Sequence, residues 1–197
     1  MSHREREAHI FMGPDGVGKT TMAALIAELI SGSHIDSGKL VRSANELKSD
    51  PALMEIMATR QLAPESLVRE LVTREIDVTT GDICFSGIPR AKEQAEWLNR
   101  ILIKRGIHIV GVYCLKAEVE TCLDRISKRT DRPNAVKLAD QEQSIRKYND
   151  MMDEACCYFE GVNIPTVVIG AEPALEIVRG AIESLPQIQR RISSLCA

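Results

Sequence analysis

The sequence contains few aromatic residues, no long apolar run and no signal-peptide pattern. Phe, Trp and Tyr make up only 4% of the chain, too few for a platform on which the bases of a single nucleic-acid strand could stack. No apolar stretch approaches the length needed to span a bilayer. The N-terminus is charged and leads directly into an apolar segment, without the apolar core of a signal peptide. These absences predict a cytoplasmic protein that inserts into no membrane.

An excess of charge of one sign and paired cysteines are also missing. The 25 Lys and Arg residues nearly balance the 28 Asp and Glu residues, for a net charge of -3. Since nucleic-acid-binding domains concentrate positive charge on one surface, this balance argues against a nucleic-acid polymer as partner. The six cysteines show no C-x-x-C spacing, which argues against a zinc site and favours a reducing compartment.

Short apolar runs alternate with longer amphipathic segments along the 197 residues. This alternation is typical of a parallel sheet covered by helices. The runs are rich in Ile, Val and Cys, as expected of strands buried on both faces, and they predict five strands: Ala8–Met12, His34–Asp36, Ile83–Ser86, Ile107–Leu115 and Thr166–Ile169. Pro51 and Pro64 each predict the start of a helix. We therefore predict one three-layer α/β domain over residues 1–197, with a five-stranded parallel sheet and helices on both faces.

A glycine-rich motif, Gly-x-x-x-x-Gly-Lys-Thr, follows the first predicted strand and opens a predicted helix. This context identifies a phosphate-binding P-loop. The glycines let consecutive N–H groups converge on phosphate oxygens, and the helix N-terminus adds a favourable dipole. Lys19 supplies positive charge for the β- and γ-phosphates, and the Thr20 hydroxyl can ligate Mg²⁺. The predicted ATP-binding residues are Gly13, Asp15, Gly16, Val17, Gly18, Lys19, Thr20 and Thr21. The motif alone leaves the phosphate acceptor open, because GTPases, ATPases and small-molecule kinases share it.

Three further segments follow the P-loop in order. They are His34–Arg42, the run Gly87-Ile88-Pro89-Arg90 with Gln94 after it, and Arg125–Arg129 with Arg132 and Arg146 beyond. From about Ile10 to Ile169 the chain thus resembles the adenylate kinase family of nucleoside monophosphate kinases. The resemblance implies a P-loop NTPase fold with a small helical monophosphate-binding insertion at about 31–70 and a short lid at about 129–140. It also implies ATP and a nucleoside monophosphate as partners.

The resemblance implies two groups of functional residues. The monophosphate-binding residues would be Ser37, Gly38, Arg42, Ala63, Gly87, Arg90 and Gln94. Among them, Arg42 and Arg90 would grip the acceptor phosphate, since guanidinium forks suit phosphate, and Gln94 would bind the acceptor base. The catalytic residues would be Lys19, Arg90, Arg125, Arg129, Arg132 and Arg146. Arg125 and Arg129 share one helix face, which could also be an ordinary solvated face.

The chain departs from the family pattern at two positions that concern the metal. The family usually has Asp before the Gly-x-Pro-Arg element, and this chain has Ser86. Asp82 lies four strand residues away, about 13 Å, and cannot replace it simply. The family usually has Gly after the loop lysine, and this chain has Thr20. We therefore expect Thr20 to ligate Mg²⁺ directly and Ser86 to keep only a hydrogen-bonding role. The loop is also similar to that of thymidylate kinases, although their Asp-Arg-Tyr element is absent.

The predicted function is a kinase that transfers the γ-phosphate of MgATP to a nucleoside monophosphate. Gln94 favours AMP as the acceptor, and we expect the enzyme to be a monomer with Mg²⁺ as its cofactor. One alternative is a kinase for TMP, CMP, UMP or another small phosphorylated acceptor. The other is a degenerate, non-catalytic nucleotide-binding protein, because Ser86 replaces the usual Asp. A GTPase is disfavoured because no Asn-Lys-x-Asp element is present.

Overall fold

The computed structural model describes residues 5–44, 63–129, 138–172 and 175–195. Its sheet has five parallel strands in the order β2-β3-β1-β4-β5. The strands are β1 (Arg6–Met12), β2 (Ser33–Asp36), β3 (Ile83–Ser86), β4 (Ile107–Lys116) and β5 (Thr166–Gly170). All five predicted strands are confirmed, with β3 at the predicted bounds and the others longer by one or two residues at an end.

Eight helices lie within the described residues. They are α1 (Lys19–Leu29), α2 (Ser37–Ser43), α3 (Glu65–Val78), α4 (Lys92–Ile103), α5 (Val119–Ser127), α6 (Leu138–Gly161), α7 (Leu175–Glu183) and α8 (Pro186–Leu195). Helix α3 begins after Pro64, as predicted, whereas the helix predicted at Pro51 lies outside the described residues. No described helix combines the length and apolar character that a membrane crossing requires.

Two hydrophobic cores lie on opposite faces of the sheet, because successive strand residues point to opposite sides. In β1, Ala8, Ile10 and Met12 belong to one core, and Phe11 belongs to the other. The first core is covered by α3, α4 and most of α6, and the second by α1, α5, α7 and α8. This arrangement confirms the predicted α/β architecture with helices on both faces.

The carboxyl ends of the strands meet at one edge of the sheet because all the strands run in the same direction. The segments that follow β1, β2 and β3 at this edge are the P-loop, α2 and the loop before α4. After β3 the chain crosses to the other side of β1, where β4 pairs. In open α/β sheets, ligands bind in the crevice at such a crossing point, beyond the carboxyl ends.

The amino end of the sheet is closed by a buried ion pair between the chain before β3 and the last helix. Arg191 Nε of α8 lies 2.6 Å from Asp82 Oδ2, and both side chains are buried. The other carboxylate oxygen of Asp82 accepts a hydrogen bond from the backbone N–H of Glu7 at 2.9 Å. Helix α8 is therefore fixed against the sheet by both charge and apolar contact, the latter through buried Ile188.

Candidate active site

The P-loop connects the end of β1 to the start of α1 and packs closely against its surroundings. Gly13 and Gly16 have positive φ values of 150° and 87°, which glycine adopts readily. A side chain at Gly16 would also collide with α5, because a Cβ there would lie 2.3 Å from the carbonyl oxygen of Cys122. The loop conformation therefore depends on glycine for both its backbone angles and its contact with α5.

Lys19 is buried at the start of α1 and points back into its own loop. Its Nζ donates hydrogen bonds to the carbonyl oxygen of Pro14 and to Oδ1 of Asp15, each at 3.1 Å. Burial lowers the pKa of Lys19, and the negative charge of Asp15 opposes this effect. In return, Lys19 holds the pKa of Asp15 well below its usual range. The Asp15 side chain remains 45% exposed, so the pair lies at the surface of the crevice.

The residues that follow β2 and β3 are packed against each other. Asp36 caps α2, since its Oδ1 accepts a hydrogen bond from the Lys39 N–H at 3.1 Å. Gly87 has φ 78°, and a Cβ there would lie 2.7 Å from Ser37 Oγ. A Cβ on Gly38 would likewise lie 2.9 Å from Nη1 of Arg42. The fold thus brings four of the predicted monophosphate-binding residues together: Ser37, Gly38, Arg42 and Gly87.

Arg90 lies between this group and the P-loop. Its Nε donates to the carbonyl oxygen of Gly87 at 3.1 Å, and its backbone N–H donates to Oε1 of Gln94 at 2.8 Å. After the larger effects of Lys19 and burial, the positive charge of Arg90 also lowers the pKa of Asp15. Arg90 therefore acts electrostatically on the P-loop while its hydrogen bonds hold it in the loop after β3.

The other predicted arginines have different environments. Arg125 contacts the P-loop, where its Nη1 lies 3.4 Å from the Val17 carbonyl oxygen. Arg129 is close enough to act on Asp15, although its effect on the Asp15 pKa is the smallest of the contributions. Arg146 is 63% exposed and pairs with Glu142 at 2.9 Å. Arg132 lies outside the described residues.

The last predicted monophosphate-binding residue, Ala63, is half-buried beside α2 and α3. It packs against the small apolar cluster formed by Val41 of α2 and Leu67 of α3. This cluster joins the two helices, so Ala63 lies where α2 and α3 meet.

Comparison with known proteins identifies the family. The adenylate kinase family model matches residues 11–161, which include the P-loop, the loop before α4 and all of α6. The chain belongs to the adenylate kinase family. It is therefore a phosphotransferase of the nucleoside monophosphate kinase class, and the resemblance seen in the sequence is confirmed.

Several bacterial adenylate kinases are similar to this member of the family. The protein from Thermus thermophilus is 28% identical over 160 residues, covering 78% of this chain and 83% of that protein. The protein from Deinococcus deserti is 27% identical over 172 residues, covering 82% and 87%. The protein from Salinibacter ruber is 32% identical over 123 residues, covering 61% and 58%. Each is named an adenylate kinase.

Ser86, which replaces the usual Asp of the family, has a hydrogen-bond partner that the sequence did not suggest. Its Oγ lies 2.8 Å from Nε2 of His34, on the neighbouring strand β2. Ser86 is fully buried. Burial lowers the pKa of His34, and the charge of Asp36 opposes this effect. The Ser86 hydroxyl therefore links β3 to β2 instead of presenting a charge to the crevice.

Tyr148 is a further residue of the site that sequence reasoning missed. It belongs to α6, far along the chain from the P-loop, yet its hydroxyl lies 3.4 Å from the backbone nitrogen of Gly13. The available signal was its spacing. Tyr148 lies three residues after Ile145 and four before Met152, and both of these are buried. A tyrosine at such a position turns its ring inward and needs a polar partner for its hydroxyl.

Proposed function

We propose that this chain transfers the γ-phosphoryl group of MgATP to AMP, giving two molecules of ADP. The observation that carries the proposal is the position of Arg90, whose charge acts on Asp15 of the P-loop while its Nε binds Gly87 O. A guanidinium between the P-loop and the loop after β3 suits an acceptor that already bears a phosphate. The family resemblance implies that Gln94, whose side-chain oxygen accepts the Arg90 N–H, would hydrogen-bond the adenine base of AMP.

The proposed reaction is a direct in-line transfer. An oxygen of the acceptor phosphate forms a bond to the γ-phosphorus, and the bond between the γ-phosphorus and the bridging oxygen to the β-phosphate breaks. This chemistry requires positioning and charge neutralisation more than covalent help from the protein. Lys19 and Arg90 supply the charge, and Lys19 would exchange Asp15 for the nucleotide phosphates when ATP binds.

Mg²⁺ fits this site as a companion of the nucleotide. Thr20 lies in the first turn of α1, next to Lys19, and we propose its hydroxyl as the ligand supplied by the protein. No group of three or more His, Cys, Asp or Glu side chains in the described ranges could hold a metal ion. In P-loop NTPases the Ser or Thr after the loop lysine is a ligand of Mg²⁺, and phosphate oxygens and water would fill most of the remaining positions. The metal would neutralise phosphate charge during transfer.

The acceptor half would consist of Ser37, Gly38, Arg42, Ala63, Gly87, Arg90 and Gln94. Strand β2 pairs with β3 in the central sheet, so the monophosphate-binding insertion would start at α2 rather than at residue 31. Arg125, Arg129, Arg132 and Arg146 would belong to the lid side, with the lid at about 129–140. We further propose that the enzyme acts as a monomer in the cytoplasm and binds no nucleic-acid polymer.

Product formation from MgATP with AMP, CMP, UMP, GMP and TMP tests the proposal. We expect AMP to have the highest kcat/KM, by about tenfold or more, because a site that hydrogen-bonds one base leaves polar groups unpaired with another. Lys19→Met should abolish this turnover and so exclude a contaminating kinase, while Lys116→Met, at a surface lysine paired with Asp153, serves as the matched control. A different preferred monophosphate would contradict the AMP assignment. No turnover with any of them would contradict the proposed reaction.

A further inference from the structure

Tyr148 joins the donor and acceptor loops at one point. Its hydroxyl lies 3.4 Å from the Gly13 nitrogen of the P-loop and 3.4 Å from the carbonyl oxygen of Pro89, in the loop that carries Arg90. The Lys19 Nζ lies over the tyrosine ring, 6.0 Å from its centroid. The phenol thus contacts the P-loop and the loop that carries Arg90 at the same point, between the proposed sites of the two nucleotides.

The Tyr148 hydroxyl is weakly held by both of its partners. Hydrogen bonds from O–H to oxygen usually span 2.5–3.0 Å, and those from N–H to oxygen span about 2.7–3.2 Å. The two distances of 3.4 Å exceed both ranges. A hydroxyl with such long contacts can turn to a better acceptor at little cost, and a phosphate oxygen is a much better acceptor than a peptide carbonyl because it is charged.

The phenol is a neutral donor among charged neighbours. Burial raises the pKa of Tyr148 to about 12, and the positive charge of Arg90 partly opposes this effect. The hydroxyl therefore keeps its proton at neutral pH. A protonated phenol can donate to a phosphate oxygen without adding negative charge to a site that must hold several phosphates.

We propose that Tyr148 is a catalytic residue whose hydroxyl leaves the Pro89 carbonyl oxygen and donates a hydrogen bond to the phosphoryl group in transfer. The donor stabilises negative charge on a non-bridging oxygen as the phosphoryl group passes between the nucleotides. The ring stays over Lys19 and limits where its ammonium can go. This role rests on the proposed kinase reaction, and it assigns a function to a side chain outside the P-loop and the arginine clusters.

Tyr148→Phe separates the hydroxyl from the ring. We expect kcat to fall by about 10- to 100-fold, the usual worth of a hydrogen bond to a charged group. The KM for MgATP should change by less than about threefold, because the interaction forms mainly in the transition state. Tyr148→Leu, which also removes the ring from Lys19, should be at least as slow. An unchanged kcat in Tyr148→Phe would overturn the proposal.

The matched control is Tyr158→Phe in the same helix. The Tyr158 hydroxyl accepts a hydrogen bond from Asn99 Nδ2 at 3.0 Å, on the α4 side and away from the P-loop. Both variants lose one phenol hydroxyl, so a purely structural role for Tyr148 predicts similar shifts in melting temperature and little change in kcat for either. A rate loss confined to Tyr148→Phe supports the proposal, and equal losses in both would contradict it.

A binding measurement separates failure of this proposal from failure of the proposed reaction. ADP, aluminium fluoride and AMP together imitate the planar phosphoryl group, and MgATP alone imitates only the ground state. Tyr148→Phe should bind the fluoride complex at least about tenfold more weakly and MgATP with nearly the same Kd. Should the wild type show no turnover with any monophosphate, the proposed reaction fails. The proposed role of the hydroxyl then fails with it. Where the wild type does turn over, an equal change in both affinities would overturn the role of the hydroxyl alone.

Discussion

The two ends of the parallel sheet each hold an acid paired with a base, and the pairs differ in exposure. At the amino end, Arg191 and Asp82 have side chains that are 9% and 3% exposed. At the carboxyl end, Lys19 is 9% exposed but Asp15 is 45% exposed. A carboxylate that keeps contact with water can be replaced by another anion, whereas a carboxylate sealed in the core cannot. The pair at the carboxyl end therefore suits the binding of an anion, whereas the loss of one partner of the buried pair at the amino end should destabilise the fold.

The polar groups around the two pairs reinforce this difference. Near the amino end, His9 is fully buried, and its Nδ1 lies 2.9 Å from the hydroxyl of Tyr113, which is also buried. At the carboxyl end, Arg90 and Tyr148 approach the P-loop but use mostly backbone carbonyl groups as partners. Backbone partners remain in place when a side chain moves, so the side chains of Arg90 and Tyr148 can form new contacts without disrupting the fold.

The largest expected effect comes from Asp82→Asn at the amino end. The variant keeps an oxygen for the Glu7 N–H but leaves the Arg191 charge buried without its partner, which costs about 3–5 kcal/mol. For a chain of this length the melting temperature should fall by roughly 10 °C. Thermal unfolding followed by circular dichroism measures the change, and kcat at 25 °C should stay near that of the wild type.

Asp77→Asn is the matched control for this variant. Asp77 pairs with Arg105 at 2.6 Å, but its side chain is half exposed. Exposed pairs contribute little because water screens them, so the melting temperature should change only slightly. An equal fall in melting temperature in the two variants would contradict the structural role that we assign to the buried pair at the amino end of the sheet.

The sequence was a good guide to the fold and to the P-loop, because both depend on local patterns. The apolar runs fixed all five strands, and the glycines with Lys19 marked the turn from β1 to α1. Contacts between distant segments could not be predicted in the same way. The partner of Ser86 is His34 of another strand, and Tyr148 reaches Gly13 from α6. The spacing around Tyr148 predicts that its ring turns inward, but which segment its hydroxyl reaches depends on how the elements pack.

The second largest expected effect is a loss of folding stability at acid pH, caused by His9. Burial lowers the pKa of His9 to about 4, whereas Asp82 opposes the shift and Arg191 adds to it. The unfolded chain has a histidine pKa near 6.5 and takes up the proton first, so this part of the stability is complete above pH ~6.5 and is lost as pH falls toward 4. The loss amounts to about 3 kcal/mol. Urea unfolding at several pH values measures it.

His9→Asn should flatten the stability profile between pH 4 and about 6.5, since it keeps a polar partner for Tyr113 but cannot be protonated there. The absolute stability of this variant will differ because its side chain is smaller, so the slope is the quantity to compare. His108→Asn is the control, as His108 is 51% exposed. If the free energy of unfolding of His9→Asn still falls with pH as steeply as that of the wild type, groups other than His9 cause the loss of stability in acid.

The smallest effect is expected from Asp15→Asn at the carboxyl end. Because Asp15 and the nucleotide phosphates compete for Lys19, removing the carboxylate charge should tighten MgATP binding, by about fivefold at most for a half-exposed pair worth ~1 kcal/mol or less. Isothermal titration calorimetry measures the Kd.

Asp153→Asn is the control, because it breaks a surface pair with Lys116 at 2.7 Å and should leave the Kd for MgATP unchanged. A weaker affinity in Asp15→Asn would make Asp15 a ligand of the nucleotide. The charge pair at the carboxyl end would then be part of the bound state, and exposure alone would no longer explain the difference between the two ends.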